Sequence, residues 1–193
     1  MCSSDLKALE SLYQTDEAIV SYQRSLKLSP RSLEGWVVLG LVQESSGSLE
    51  DALASFNAAL DVCSTAIPAL SAKGHTLYKL GRYSEALDTY DQALKLDPES
   101  CTLWYARGKV IDRLNKSEEA IASYDRALEI HPKFDRAWYR RGITFSRMGR
   151  HVEAVSNYEK ALAINPNRVD AASRRRIALR HTEGKPNAIA VMD

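Results

Sequence analysis

The chain has 193 residues and a formal net charge of +1, with 45% hydrophobic and 26% charged residues, which is ordinary for a folded protein. It contains no apolar run long enough to span a bilayer and no signal-peptide pattern, so we expect no membrane partner. The three cysteines are odd in number and lack metal-ligand spacing, so we expect reduced thiols, a cytoplasmic location and no metal or other cofactor.

Charge is distributed unevenly along the chain. Residues 1–100 carry 8 Lys and Arg against 14 Asp and Glu, whereas residues 101–193 carry 18 against 11. Such an asymmetry can steer a charged partner towards one end of a protein. It is also what a random drift of sign among charged surface helices would give, and the sequence leaves both interpretations open.

Prolines recur with a fixed spacing. Pro98, Pro132 and Pro166 are 34 residues apart, and the same step backwards reaches Ser64 and then Pro30. A fixed period of this length indicates one supersecondary unit repeated along the chain. Arrays of this kind more often present a binding surface than a catalytic pocket.

Each full repeat is predicted to form two antiparallel helices. In chain order, a stub near residues 4–13 with Leu6, Leu9 and Leu12 on one side precedes a helix over 16–28. The pairs that follow are predicted over 33–46 and 49–62, 68–80 and 83–96, 101–114 and 117–130, and 135–148 and 151–164. Pro68 falls in a first helical turn, where its missing N–H costs nothing.

One more helix is predicted over 168–182, with Ala171, Ala178 and Leu179 on one face. Arg175 and Arg176 stand where a full repeat would have leucine and glycine, so this helix is expected to cap the array with a polar outer surface. The tail, 183–193, contains Gly184 and Pro186 and is expected to be flexible. The front end has no comparable cap. The chain is a piece of a longer array, or the stub suffices, or that edge meets another subunit, in which case it is a possible site of self-association.

Small residues recur with the same period, and we expect them where two helices of a pair approach closely. The glycine position recurs as Gly40, Gly74, Gly108 and Gly142, and the alanine position as Ala52, Ala86, Ala120 and Ala154. The turn within each pair is predicted at residues that tolerate positive φ, namely Gly47, Gly81, Asn115 and Gly149.

Aromatic residues form two further columns, and we expect them to fill gaps between pairs. One column is Trp36, Trp104 and Trp138, with Leu70 in place of the missing member. The other is Tyr22, Phe56, Tyr90, Tyr124 and Tyr158.

This set of columns resembles the tetratricopeptide repeat, in which Trp, Leu-Gly, Tyr, Ala, Phe or Tyr, Ala and Pro recur at fixed offsets. The leucine before glycine is kept only at Leu39 and becomes Lys73, Arg107 and Arg141. The resemblance implies an all-α, right-handed superhelical solenoid of antiparallel helix pairs. It also implies a truncated first repeat at 1–32, full repeats at 33–66, 67–100, 101–134 and 135–168, a capping helix at 169–182, and the tail.

In the family, the first helices of successive pairs line a concave groove that commonly holds extended peptides. Carrying the inward positions over gives candidate peptide-binding residues at Val37, Val38, Leu41, Ser71, His75, Tyr105, Lys109, Arg113, Arg136, Tyr139, Arg140, Ile143 and Arg174. This surface starts apolar and ends basic. Tyr105 and Tyr139 lie at equal phase outside the core columns, so they either present stacking surfaces to a ligand or cover neighbouring helix faces.

Some family members clamp the C-terminal carboxylate of a chaperone tail with a Lys, two Asn and a Lys-Arg pair. In one frame Arg136 and Arg140 match the basic pair, but Ser71, His75 and Ala106 occupy the Lys and Asn places and do not match. A second frame, over the second to fourth repeats, matches nowhere. That activity is therefore not indicated, although an acidic ligand stays reasonable.

No constellation of residues indicates an enzyme. There is no phosphate-binding glycine loop, no nucleophile elbow, and the four histidines occupy unlike repeat phases. The leading hypothesis is a non-enzymatic scaffold that binds a protein or peptide segment, expected to be acidic. The alternatives are nucleic-acid binding through the basic helix with Arg174, Arg175, Arg176 and Arg180, which the interspersed acids disfavour, and a module that multimerises end to end.

Overall fold

A computed structural model describes residues 3–183 and the side chains of residues 15–182. These residues form ten α-helices and no strand, so the predicted all-α repeat fold is confirmed for the described part of the chain. The helices are α1 (Ser3–Leu28), α2 (Leu33–Ser45), α3 (Leu49–Val62), α4 (Ile67–Lys79), α5 (Tyr83–Leu96), α6 (Cys101–Arg113), α7 (Ser117–Ile130), α8 (Asp135–Arg147), α9 (His151–Ile164) and α10 (Val169–Glu183).

The chain divides into two compact units at Pro98 and Glu99. In the first unit α2 pairs with α3 and α4 with α5, while α1 packs on α2, and α2 contacts α4. In the second unit α6 pairs with α7 and α8 with α9, α10 packs on α9, and α8 contacts both α6 and α10. Within each unit, then, the first helices of successive pairs lie side by side.

The residues between helices explain where helices begin and end. Each turn within a pair has one residue with positive φ, as predicted: Gly47 (86°), Gly81 (76°), Asn115 (60°) and Gly149 (75°). The helix before each of the recurring prolines Pro30, Pro98, Pro132 and Pro166 ends two residues upstream, because proline and the residue that precedes it cannot continue the helical ladder. Pro68 lies in the first turn of α4.

Within each pair the aromatic column packs directly over the glycine column. A Cβ atom built on Gly108 would lie 2.6 Å from Tyr124 Cε1, and one on Gly142 would lie 2.7 Å from Tyr158 Cε1. The aromatic rings of this column therefore lie inside a helix pair. The prediction that they fill the gaps between pairs is wrong. The tryptophans do pack between repeats, since Trp36 packs against the cluster formed by Ala59, Ala66 and Ala69.

The first repeat departs from the prediction. The stub and the helix over 16–28 are one continuous helix, α1, because residues 3–28 contain no glycine or proline to end it. The side chains of Leu6, Leu9 and Leu12 and the expected flexibility of residues 184–193 lie outside the described part of the structure.

Candidate functional site

The candidate residues of the first unit lie on α2 and α4. On α2, Val37 and Val38 are half-buried, and Val37 packs against the alanine cluster beside Trp36. Leu41 is 45% exposed. This part of the predicted surface therefore offers one apolar side chain to solvent.

On α4 the candidate His75 is engaged in a polar cluster. Its Nδ1 lies 2.8 Å from Glu44 Oε1, which also accepts a hydrogen bond from Thr76 Oγ1 at 3.2 Å and lies 3.4 Å from Lys79 Nζ. The Glu44 side chain is only 10% exposed. Ser71 is half-buried on the same helix. The cluster therefore joins α2 to α4 as well as presenting polar groups.

The candidate residues of the second unit lie on α6, α8 and α10, and we call this the α6–α8–α10 surface. Lys109 of α6 lies near two cations of α8, Arg136 and Arg140. Burial, together with the charges of Arg140 and Arg136, lowers the pKa of Lys109. Arg136 is exposed and has no hydrogen-bond or ion-pair partner among residues 15–182. Three cations from adjacent helices thus converge on one surface.

An aromatic patch borders these cations. The Tyr105 ring lies 5.0 Å from the Phe134 ring and 6.1 Å from the Tyr124 ring, measured between centroids. Lys109 Nζ lies 5.8 Å from the centre of the Tyr105 ring. Tyr105 is half-buried beside the Lys109 ammonium group.

The expectation that Tyr139 offers a stacking surface is wrong. Its side chain is 7% exposed and belongs to a core cluster with Phe145, Tyr158 and Ala171. The Arg168 guanidinium lies 4.3 Å from the centre of the Tyr139 ring and covers it. Of the two interpretations left open for this residue, covering a neighbouring helix is the one the structure shows.

Sequence reasoning missed Arg168, although the period gave a signal. Arg168 stands 34 residues after Phe134, and the two residues cover the tyrosines that are themselves 34 residues apart. Arg168 Nη1 also donates to Asp135 Oδ2 at 2.7 Å. The loop before α10 is therefore fastened onto α8.

The remaining candidates differ in accessibility. Arg113 and Arg174 are exposed, and Arg174 Nε donates to the Tyr139 hydroxyl at 3.1 Å. Ile143 is half-buried against the core cluster of α8, α9 and α10.

Near Arg140, a buried carboxylate is fully engaged. Asp112 accepts hydrogen bonds from Tyr124 Oη at 2.8 Å and Thr144 Oγ1 at 2.9 Å, and it pairs with Arg147 Nη2 at 2.6 Å. Burial beside Asp112 raises the pKa of Tyr124. Tyr124, Thr144 and Arg147 are thus the side chains that hold the Asp112 carboxylate.

The basic C-terminal helix does not present one continuous stripe of arginines. Arg175 Nη2 pairs with Glu159 Oε1 at 2.8 Å and Arg174 bonds to Tyr139, which leaves Arg176 and Arg180 as the exposed arginines without a partner among residues 15–182. In the same range no group of three or more His, Cys, Asp and Glu residues is arranged to hold a metal ion. None of the described helices has the length and apolar character needed to cross a membrane.

Comparison with known sequences gives one family. The sequence profile of the tetratricopeptide repeat matches residues 7–67, 71–133 and 135–168. No curated protein sequence matches the chain.

Several solved structures are similar to this chain. MamA is 26% identical with a TM-score of 0.75, over 88% of this chain and 98% of that chain. YrrB, a tetratricopeptide repeat protein with an unusual peptide-binding site, is 23% identical with a TM-score of 0.69, over 87% of each chain. The first repeat domain of Spaghetti (RPAP3), bound to the HSP90 peptide SRMEEVD, is 27% identical with a TM-score of 0.59, over 61% of this chain and 93% of that chain.

Proposed function

Because the chain belongs to the tetratricopeptide repeat family, we propose that it is a non-enzymatic scaffold that binds an extended acidic segment of a partner protein. The binding surface in this proposal is the α6–α8–α10 surface. The observation that carries it is the convergence of Lys109, Arg136 and Arg140 from two adjacent helices. Like charges do not cluster in this way for stability, since each raises the cost of charging its neighbours.

The chemistry of the surface selects carboxylates. Guanidinium groups pair with carboxylates through two parallel N–H···O bonds, and Arg136 is exposed with no hydrogen-bond or ion-pair partner among residues 15–182. Each exposed ion pair contributes only about 0–1 kcal/mol. Useful affinity therefore needs several charges and an apolar contact, for which the half-buried Tyr105 is suited.

Similar structures are consistent with this proposal. The Spaghetti domain holds SRMEEVD, a heptapeptide whose letters include three acidic residues. The present chain lacks the full carboxylate clamp, because Ser71, His75 and Ala106 replace its Lys and Asn residues. We therefore expect recognition of acidic side chains along a segment, with a micromolar dissociation constant that rises with salt.

The test is fluorescence anisotropy with labelled SRMEEVD and its neutral counterpart SRMQQVN. We expect the acidic peptide to bind more tightly than the neutral one, and Arg136→Glu with Arg140→Glu to abolish the difference. The matched control is Arg176→Glu with Arg180→Glu, which changes the net charge equally on exposed arginines of α10.

Two outcomes would contradict the proposal. If both double variants weaken binding equally, only net charge matters and the surface has no specific role. If Arg136→Glu with Arg140→Glu binds SRMEEVD as the natural chain does, the site lies elsewhere. The Arg176 and Arg180 variant also tests the rival function, because a short oligonucleotide bound through the basic helix would be released by it.

A further inference from the structure

A cleft of about 530 Å³ opens on the first unit between α1, α2 and α3. Its floor is apolar, with Leu26 4% and Leu39 2% exposed, and the half-buried Trp36 forms one wall. Asp51 and Ser55 of α3 also line it. We call it the Trp36 cleft. It shares no residue with the surface predicted to bind peptide.

In the second unit an arginine fills the corresponding place. Arg141 stands where the second repeat has Leu39, three periods earlier. Its guanidinium lies 4.5 Å from the centre of the Trp138 ring, donates from Nε to Asn157 Oδ1 at 2.8 Å, and forms an ion pair with Asp125. Stacking on an aromatic face and fork-like donation are what a guanidinium does best.

Arg107 stands one period before Arg141, in the other helix pair of the second unit, and it makes related contacts. Arg107 Nη1 donates to Ser123 Oγ at 2.8 Å, and Arg107 Cζ lies 5.6 Å from the Trp104 ring centre. Ser55 occupies the position of Ser123 and Asn157 in its own repeat. A polar acceptor on the second helix therefore accompanies the tryptophan in all three repeats.

The wall of the Trp36 cleft is held in the same way as the equivalent wall beside Arg141. Trp36 Nε1 donates to the Pro30 carbonyl at 2.8 Å, as Trp138 Nε1 does to the Pro132 carbonyl at 2.8 Å. The two indoles are thus fixed in the same way. Ser55 Oγ donates to Gln43 Oε1 at 2.6 Å, which leaves its lone pairs free to accept a hydrogen bond.

A second cation is also missing from this repeat. In each of the three repeats that follow, the residue equivalent to Asp51 is a glutamate. It forms an ion pair with the basic residue three positions earlier. These pairs are Glu85 with Arg82, Glu119 with Lys116, and Glu153 with Arg150. Here that basic residue is replaced by Ser48. The exposed Asp51 has no hydrogen-bond or ion-pair partner among residues 15–182.

We propose that the Trp36 cleft binds an arginine side chain presented by a basic segment of a partner protein. The guanidinium stacks on Trp36, donates to Ser55 and pairs with Asp51, while its aliphatic stem covers Leu26 and Leu39. The charge of the first unit favours such a partner, because residues 1–98 carry 13 Asp and Glu against 8 Lys and Arg. Lys27 also lines the cleft and is the cation that opposes this ligand.

The test uses the full chain labelled with ¹⁵N and three probes: acetyl-Gly-Arg-Gly-amide and its citrulline and lysine counterparts. The Trp36 indole N–H signal, assigned with Trp36→Phe, is followed during titration at low salt. We expect the arginine probe to shift this signal saturably and the other two to leave it almost unchanged. Leu39→Arg is expected to abolish the response, because its own guanidinium occupies the cleft as Arg141 does.

A second pair of variants protects the test against misfolding of Leu39→Arg. Asp51→Asn, an exposed substitution, is expected to weaken the arginine probe about two- to fivefold, and Asp61→Asn, an exposed acid at the other end of α3, is the matched control. Lys27→Ala is expected to strengthen binding. Equal responses to arginine and lysine or citrulline, an unchanged Trp36 signal, or no effect of Asp51→Asn would each overturn the proposal. So would a Trp36 shift on dilution of the protein alone, since the occupant would then be a second copy of the chain.

Discussion

One glycine in each helix pair sets how closely the two helices approach. A Cβ atom added at Gly40, Gly74, Gly108 or Gly142 would come within 2.5–2.8 Å of the aromatic ring sixteen residues later. Real Cβ atoms do not make contacts so short, so the ring or the whole helix would have to move. The glycine column therefore reflects packing rather than backbone freedom.

We predict that Gly108→Leu lowers the free energy of unfolding by about 1–3 kcal/mol or more, because the added side chain would overlap the ring of Tyr124, which is fully buried. Urea unfolding followed by circular dichroism measures the change. Ala122→Leu on the exposed face of α7 serves as the control and should be nearly neutral. Equal stabilities for the natural chain and Gly108→Leu would mean that this close contact does not exist.

The buried tyrosines predict a loss of stability at alkaline pH. Burial raises the pKa of Tyr158 to about 12, above the ordinary value of 10.0. Between these values the unfolded chain has lost the proton that the folded chain keeps, so the free energy of unfolding falls by about 1.4 kcal/mol per pH unit. The contribution is fully present below pH 10.0. Denaturant midpoints at neutral pH and at pH about 11 measure it, and Tyr158→Phe should fall less steeply than the natural chain.

At the scale of elements, equivalent polar contacts tie first helices together inside each unit. In the second unit, Asp112 of α6 binds Thr144 and Arg147 of α8. In the first unit, Glu44 of α2 binds Thr76 and Lys79 of α4. Each residue of the set in the second unit stands 68 residues, or two periods, after its equivalent in the first unit. A buried carboxylate is tolerated here because its lone pairs are occupied. These contacts fix the spacing of the helices that carry the candidate binding residues.

The last helix, α10, is joined to α8 and α9 through two alanines. Ala171 and Ala178 are fully buried in the cluster with Tyr139 and Tyr158, while Ala172 is exposed. We predict that Ala178→Asp detaches this helix, because an unpaired buried charge is costly, and that the protein then melts earlier and aggregates. Ala172→Asp is the matched control. Thermal melting with light scattering distinguishes them, and identical behaviour of the two variants would contradict the prediction that α10 caps the array.

Most of the helices and their bounds could be predicted from the sequence. The predicted bounds of α2 to α10 agree with the observed ones to within two residues, because glycine, asparagine or proline marks the helix ends. For α1 the prediction of two separate helices was wrong, since no such residue interrupts residues 3–28. The candidate site was harder to predict. Tyr139 of α8 is covered by Arg168, which lies in the loop before α10, and a column of inward positions does not reveal what covers each residue.

At the scale of the whole molecule, the two compact units present different ligand chemistry. Residues 1–98 carry an excess of acids and the Trp36 cleft lacks two cations that other repeats supply. Residues 99–193 carry 18 Lys and Arg against 12 Asp and Glu and hold the convergent cations of the α6–α8–α10 surface. The two proposals therefore concern separate sites with opposite charge preference.

This separation predicts a crossed pattern of effects. Leu39→Arg should abolish the response to acetyl-Gly-Arg-Gly-amide and leave SRMEEVD binding within about twofold, since the two sites share no residue and belong to different compact units, and salt screens exposed charges. Arg136→Glu with Arg140→Glu should do the reverse. Both binding events should weaken as salt rises, because each depends on exposed ion pairs. Anisotropy and the Trp36 indole signal, measured on the same three proteins, test this. If Leu39→Arg abolishes both responses, the two sites are not independent, and if neither variant changes either response, binding resides on other surfaces of the chain.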